Sequence, residues 1–114
     1  MSDCLFCKMV SGEIVPDKVY EDDNVLAFRD LNPQAPLHLL VIPKVHIATL
    51  NDLDEETAPL ITQIYLAARQ IAKQEGVADK GYRTVMNCNS EGGQSVYHIH
   101  LHLLAGRNMQ WPPG

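Results

Sequence analysis

The sequence is short of positive charge, cysteine, aromatic residues and long apolar runs. Nine Lys and Arg stand against fourteen Asp and Glu, a formal net charge of −5. A protein that grips a nucleic-acid polymer needs a basic face, so that class of partner is not expected. A mononucleotide needs only a few donors and is not excluded. Three cysteines are an odd number and give no disulfide framework, which fits a reducing, cytoplasmic setting. The mid-chain apolar run Leu39-Leu40-Val41-Ile42 is far too short to span a bilayer. Met1-Ser2-Asp3-Cys4 has no basic start and no apolar stretch behind it, so no secretory signal is visible. What remains is ordinary globular composition, 46% hydrophobic and 20% charged over 114 residues. That length buries a core without staples, and residues 1–114 read as a single domain with no repeat or linker.

Cys4 to Val10 reads as a short helix with an apolar side, stopped at Ser11-Gly12. Lys18–Tyr20 and Val25–Phe28 read as strands around an Asp22-Asp23-Asn24 turn. Pro33 and Pro36 mark a loop, and His38–Ile42 reads as a strand covered on both faces. From Asp54 to Gly76, Leu60, Ile64, Ala67, Ala68, Ile71 and Ala72 recur at helical spacing and predict the one long helix. Tyr82–Asn87 and Val96–Leu104 are the last strands, with a flexible polar loop expected at Asn89–Gly93. The connections are mostly too short for parallel crossovers, so the expected class is α+β with an antiparallel sheet.

The informative segment is Tyr97-His98-Ile99-His100-Leu101-His102-Leu103-Leu104, which holds three of the five histidines. Alternation along a strand puts all three imidazoles on one face, about 7 Å apart at the backbone. One reading is a solvated sheet face. A second is a metal site, but the outer pair lies roughly 13 Å apart on a straight strand, and this strand carries no Asp or Glu. A third is phosphorus chemistry. Imidazole is a neutral nucleophile near neutral pH, and crowding disfavours charging all three rings. A middle histidine would attack while an outer one bonds a phosphate oxygen. The upstream Gly92-Gly93-Gln94-Ser95 adds backbone N–H groups and a hydroxyl suited to an anion.

His98-Ile99-His100-Leu101-His102-Leu103-Leu104 matches the His-x-His-x-His-x-x signature, and the chain resembles the histidine triad family. Gly92–Tyr97, Asp30 with Pro33–Pro36, Val41–Lys44 with His46, and Trp111-Pro112-Pro113-Gly114 resemble its nucleotide-binding Hint branch. The resemblance implies a five-stranded antiparallel sheet with one long and one short helix, and a homodimer joining two sheets into one of ten strands. It implies hydrolysis of purine nucleoside phosphoramidates to a nucleoside 5′-monophosphate and an amine. His100 would be the nucleophile forming a nucleotidyl-histidine, and His102 would contact the phosphate. His38 would help to orient and protonate the triad, and Ser95 or an imidazole would protonate the amine. Asp30 would take the ribose hydroxyls, and Leu5, Phe6, Met9, Phe28 and Leu31 would line the base pocket. Asn87, Gly93, Ser95 and Val96 would meet the phosphate and the leaving amine, and Trp111 would reach the partner subunit's site. Each has a plainer alternative: Asp30 as a turn residue, the phenylalanines as core, Trp111 as a surface anchor.

Cys4 and Cys7 share a helix face. In some bacterial relatives such a pair joins two histidines around a structural zinc, and the matching residues here are His46 and His98. The alternative is two reduced thiols. No cofactor is expected for catalysis. The competing function is a purine-nucleotide-binding regulatory module with incidental hydrolysis.

Overall fold

A computed structural model describes residues 3–114; Met1 and Ser2, read above for a signal segment, lie outside it. Among the described residues three α-helices, α1 (Leu5–Ser11), α2 (Pro59–Gln74) and the single turn α3 (Asn89–Gly92), and a short 3-10 helix (Leu50–Asp52) accompany five strands. The strands are β1 (Lys18–Glu21), β2 (Val25–Arg29), β3 (Leu37–Pro43), β4 (Arg83–Val85) and β5 (Leu101–Ala105). They form one antiparallel sheet in the order β1-β2-β3-β5-β4. No helix among the described residues is long and apolar enough to cross a membrane.

Both faces of β3 are buried, as its continuous apolar run requires. On one face Val25, Ala27, Leu39, Val41, Leu101 and Leu103 pack against Ile64, Ala67, Ala68 and Ile71 of α2. On the other, Leu26, Phe28, Leu40 and Ile42 pack against Phe6 of α1. The long helix thus backs the sheet, and the short helix caps the face that carries the histidines.

The local chemistry fits the boundaries. Cys4 caps α1, its sulfur accepting from the Cys7 N–H at 3.3 Å, and Gly12 ends the helix at φ +86°. Asp22 closes the first hairpin by accepting from Asn24 N–H and Val25 N–H, both at 2.8 Å.

Four expectations are corrected. The long helix starts at Pro59, not Asp54, because Asp54 and Thr57 spend their side chains on a preceding turn. The strand expected over Tyr82–Asn87 is only Arg83–Val85. Asn89–Gly92 is a helical turn rather than a flexible loop, and the Gln94 carboxamide holds it by accepting from Asn89 N–H at 2.8 Å. The last strand begins at Leu101, not Val96. Next to its missing part lies Pro43, which has no N–H to pair and whose carbonyl is taken by the His98 ring at 2.8 Å. Ile99 N–H bonds Ile47 O instead, at 2.8 Å.

Candidate active site

The cross-strand register gathers the site. Leu40 faces His102 and His38 faces Leu104 across β3 and β5, so His38 and His102 lie diagonally on one face. His100 precedes β5, and its ring centroid is 5.0 Å from that of His102 and 5.2 Å from that of Phe6. His98 also meets Phe6 edge to face, at 5.8 Å. The alternation therefore holds although the regular strand starts late.

Backbone groups fix which nitrogen of each neutral ring carries the proton. A carbonyl only accepts, so His98 Nε2 donates to Pro43 O, and His100 Nδ1 donates to His98 O at 2.8 Å. His100 is left with a bare Nε2 lone pair. An amide N–H only donates, so His38 Nδ1 accepts from Gln34 N–H at 3.0 Å. His38 Nε2 then carries the proton and donates to His102 Nδ1 at 2.9 Å, with Asp30 Oδ2 at 3.4 Å. His102 must hold its own proton on Nε2. The pair presents an acceptor on His100 and a donor on His102, as a nucleophile beside an anion-binding group requires.

Electrostatics favour the neutral form of His102, His38 and His98. Burial, then His100, then His38 push His102 down to about 4, against a weaker upward pull from Asp30. Burial also lowers His38, opposed by Asp30. Burial lowers His98 too, with Pro43 O opposing and the neighbouring imidazoles adding to the effect.

Beside these rings an apolar cavity of about 300 Å³ is lined by Phe6, Phe28, Leu40 and Val96, with Asp30 at its rim. Phe6 and Phe28 meet edge to face at 5.4 Å. Such a slot suits a flat heterocycle, and a rim carboxylate suits a diol.

A second cluster lies behind His98. The donor atoms of Cys4, Cys7, His46 and His98 all lie within 4.8 Å of one another. His98 Nδ1 is 3.4 Å from Cys4 Sγ and 3.5 Å from Cys7 Sγ, and His46 Nδ1 is 3.3 Å from Cys7 Sγ. Sulfur–nitrogen edges of a tetrahedron around zinc measure about 3.6 Å, from bonds of about 2.3 and about 2.0–2.1 Å. The donor set fits that ion. His98 Nδ1 is free to ligate because Nε2 is committed to Pro43. Burial and the adjacent Cys4 sulfur raise the Cys7 thiol, so Cys7 favours its proton until a cation compensates it.

The family model described as scavenger mRNA decapping enzyme C-terminal binding matches residues 3–111. A purine nucleoside phosphoramidase of Escherichia coli is 52% identical over 103 residues, 90% of this chain and 87% of that one. The chain belongs to the histidine triad family. A HIT family hydrolase of Legionella pneumophila superposes on it with a TM-score of 0.96 at 58% identity, covering 98% of this chain and all of that one (100%). A 14 kDa zinc-binding protein of Brassica juncea is 49% identical over 114 residues, 98% of this chain and 100% of its own length.

In this histidine triad protein the residues expected at a nucleotide site separate into groups. Leu5, Phe6, Met9, Phe28, Asp30, Leu31, Ser95, Val96, His100 and His102 all line the apolar cavity. Leu31 does so from the rim, 95% exposed. His38 and Asn87 line a neighbouring cavity that shares only His102 with the first. Gly93 is exposed at φ +85°, and the Cβ it lacks would sit 3.9 Å from the Asn87 side-chain nitrogen. Trp111 is 82% exposed and lines neither cavity. Asp30, His38 and His102 also have donor atoms within 4.8 Å of one another, but His38 spends its only lone pair on Gln34 N–H. That trio is a proton network rather than an ion cage.

Sequence reasoning missed two groups that hold the site, the Gln94 carboxamide and the Pro43 carbonyl. Gln94, buried, donates to Ala48 O at 2.7 Å and Val96 O at 3.1 Å, pinning the approach to the triad. Pro43 contributes only its carbonyl. A polar residue flanked by Gly93 and Ser95 looks like any loop residue, and backbone acceptors leave no sequence signal.

Proposed function

We propose that this chain hydrolyses purine nucleoside phosphoramidates, releasing a nucleoside 5′-monophosphate and an amine. The observation that carries the reading is the hydrogen bond from His100 Nδ1 to His98 O, which leaves an unprotonated Nε2 beside the Nε2–H of His102. The names of the Escherichia coli and Legionella relatives support it.

Purine and ribose occupy the apolar cavity, with Asp30 on the diol. His100 Nε2 attacks phosphorus, a nitrogen–phosphorus bond forms, and the bond to the departing nitrogen breaks. That nitrogen leaves with a proton from the Ser95 hydroxyl or an adjacent imidazole. His102 Nε2–H and the Gly93–Ser95 backbone stabilise the phosphoryl oxygens. Water then attacks phosphorus and gives a proton back to the group that protonated the amine, while the bond to His100 breaks and its lone pair returns to Nε2.

Zinc held by Cys4, Cys7, His46 and His98 would cross-link α1 to the triad backbone, a structural role with no open position. The chain would act as one domain, in the cytoplasm, within a homodimer in which an edge strand continues the sheet. Exposed Trp111 supports a partner contact there.

The test is cleavage of adenosine 5′-phosphoramidate by the wild type and His100→Ala, with and without a chelator. Release of AMP by the wild type alone, unaffected by a brief chelator treatment, is expected. Tight AMP binding with no release by either protein replaces this reading with the regulatory module.

A further inference from the structure

The second cavity, about 380 Å³, meets the first only at His102. Its lining differs in kind. Arg83 and Arg107 face into it beside Gln34, Asn87, Gln110 and His38, and no Asp or Glu lines it. In a chain with a net charge of −5, two arginines line one cavity in which no acid answers them. Neither forms an ion pair among the described residues. Arg107 is oriented by neutral acceptors alone: Nε and Nη2 donate to Gln34 O at 3.2 and 3.1 Å, and Nη1 to Asn108 O at 3.3 Å. Arg83 lies 6.0 Å from the Trp111 ring centroid, a contact that leaves its charge in place. Gln34 joins this lobe to the chemistry, because its N–H fixes the tautomer of His38 while its carbonyl holds Arg107.

The geometry points to a leaving-group subsite for an amine that carries a carboxylate close to the nitrogen, the pattern of an α-amino acid. The inference rests on the phosphoramidase reading. With the nucleoside in the apolar lobe and phosphorus at His100 and His102, the departing nitrogen turns toward Asn87 and the polar lobe. A carboxylate one carbon further on meets guanidinium forks, which suit its planar geometry. An acidic protein otherwise repels a second negative charge on its substrate, so any preference for that charge must be local.

The test compares two adenosine 5′-phosphoramidates that differ in one charge, the glycine adduct and the glycinamide adduct. Wild-type kcat/KM is expected to favour the glycine adduct about tenfold, the scale of one charge-assisted hydrogen bond in a partly exposed site. In Arg83→Gln and Arg107→Gln the ratio between the two substrates falls toward one, and a general loss of activity cancels in that ratio. A wild-type ratio of one or below overturns the subsite, as does a wild-type ratio preserved in both variants. If neither compound is cleaved, the phosphoramidase reading fails by itself, and calorimetry of the two intact compounds decides the subsite. About tenfold tighter binding of the glycine adduct sustains it, and equal binding overturns it.

Discussion

Acidification bears directly on His102. Its ring is neutral in the fold down to about 4, whereas an unfolded histidine titrates near 6.5. Between those values the unfolded chain binds a proton that the native chain refuses. Stability is therefore whole above about pH 6.5 and falls as pH drops toward about 4. At about 1.4 kcal/mol per pH unit, His102 alone removes on the order of 2 kcal/mol between pH 7 and pH 5. His38, lowered by burial in the same way, adds to the slope. Urea denaturation at both pH values, on the wild type and on His102→Gln, isolates the effect. The variant has no group to titrate at that position, so its stability is expected to fall by about 2 kcal/mol less. Equal losses in the two proteins would refute the reasoning, as would an NMR titration of the His102 ring with a midpoint near that of a free histidine.

Other expectations follow from particular contacts. His100→Ala removes the nucleophile but none of the apolar walls, so turnover falls by at least about a thousandfold while the AMP dissociation constant changes only a few-fold; steady-state kinetics and calorimetry check both. Purified protein is expected to carry one zinc per chain by elemental analysis, and Cys4→Ser or Cys7→Ser to lose the metal and melt at lower temperature, since one missing ligand opens a closed set. Two freely titrating thiols and no metal would remove that assignment. Gln94→Ala leaves Asn89 N–H and Ala48 O without their side-chain partner and is expected to cost about 1–3 kcal/mol in urea denaturation. Ile71→Ala empties a fully buried site between α2 and the sheet, with an expected cost of about 2–5 kcal/mol.

Much of this was legible in the residues. Period two in His98–Leu104 placed the imidazoles on one face, and period 3.6 in Leu60–Ala72 predicted the long helix. The boundaries were less legible where a side chain competes with the ladder. His98 takes the Pro43 carbonyl that a regular strand would have used, and the Asp54–Thr57 turn displaces the first turn of helix. The side chains of the candidate site could be proposed from the sequence, whereas its backbone groups left no signal. Nothing in the sequence shows that the His98 carbonyl sets the tautomer of His100, or that Gln34 N–H sets that of His38. Arg83 and Arg107 also stood unremarked, because they come from separate segments and reach one cavity only through the pairing of β4 with β5, just before Arg107.

The central claim is that His100 carries the nucleotidyl group between two displacements. Single-turnover mixing of excess enzyme with adenosine 5′-phosphoramidate, quenched at successive times in alkaline denaturant and read by mass spectrometry of peptides, tests it most directly. The account predicts an adenylyl adduct on His100 that rises before AMP and then decays into it. AMP that accumulates with no adduct at any time, or an adduct on another residue, would contradict it.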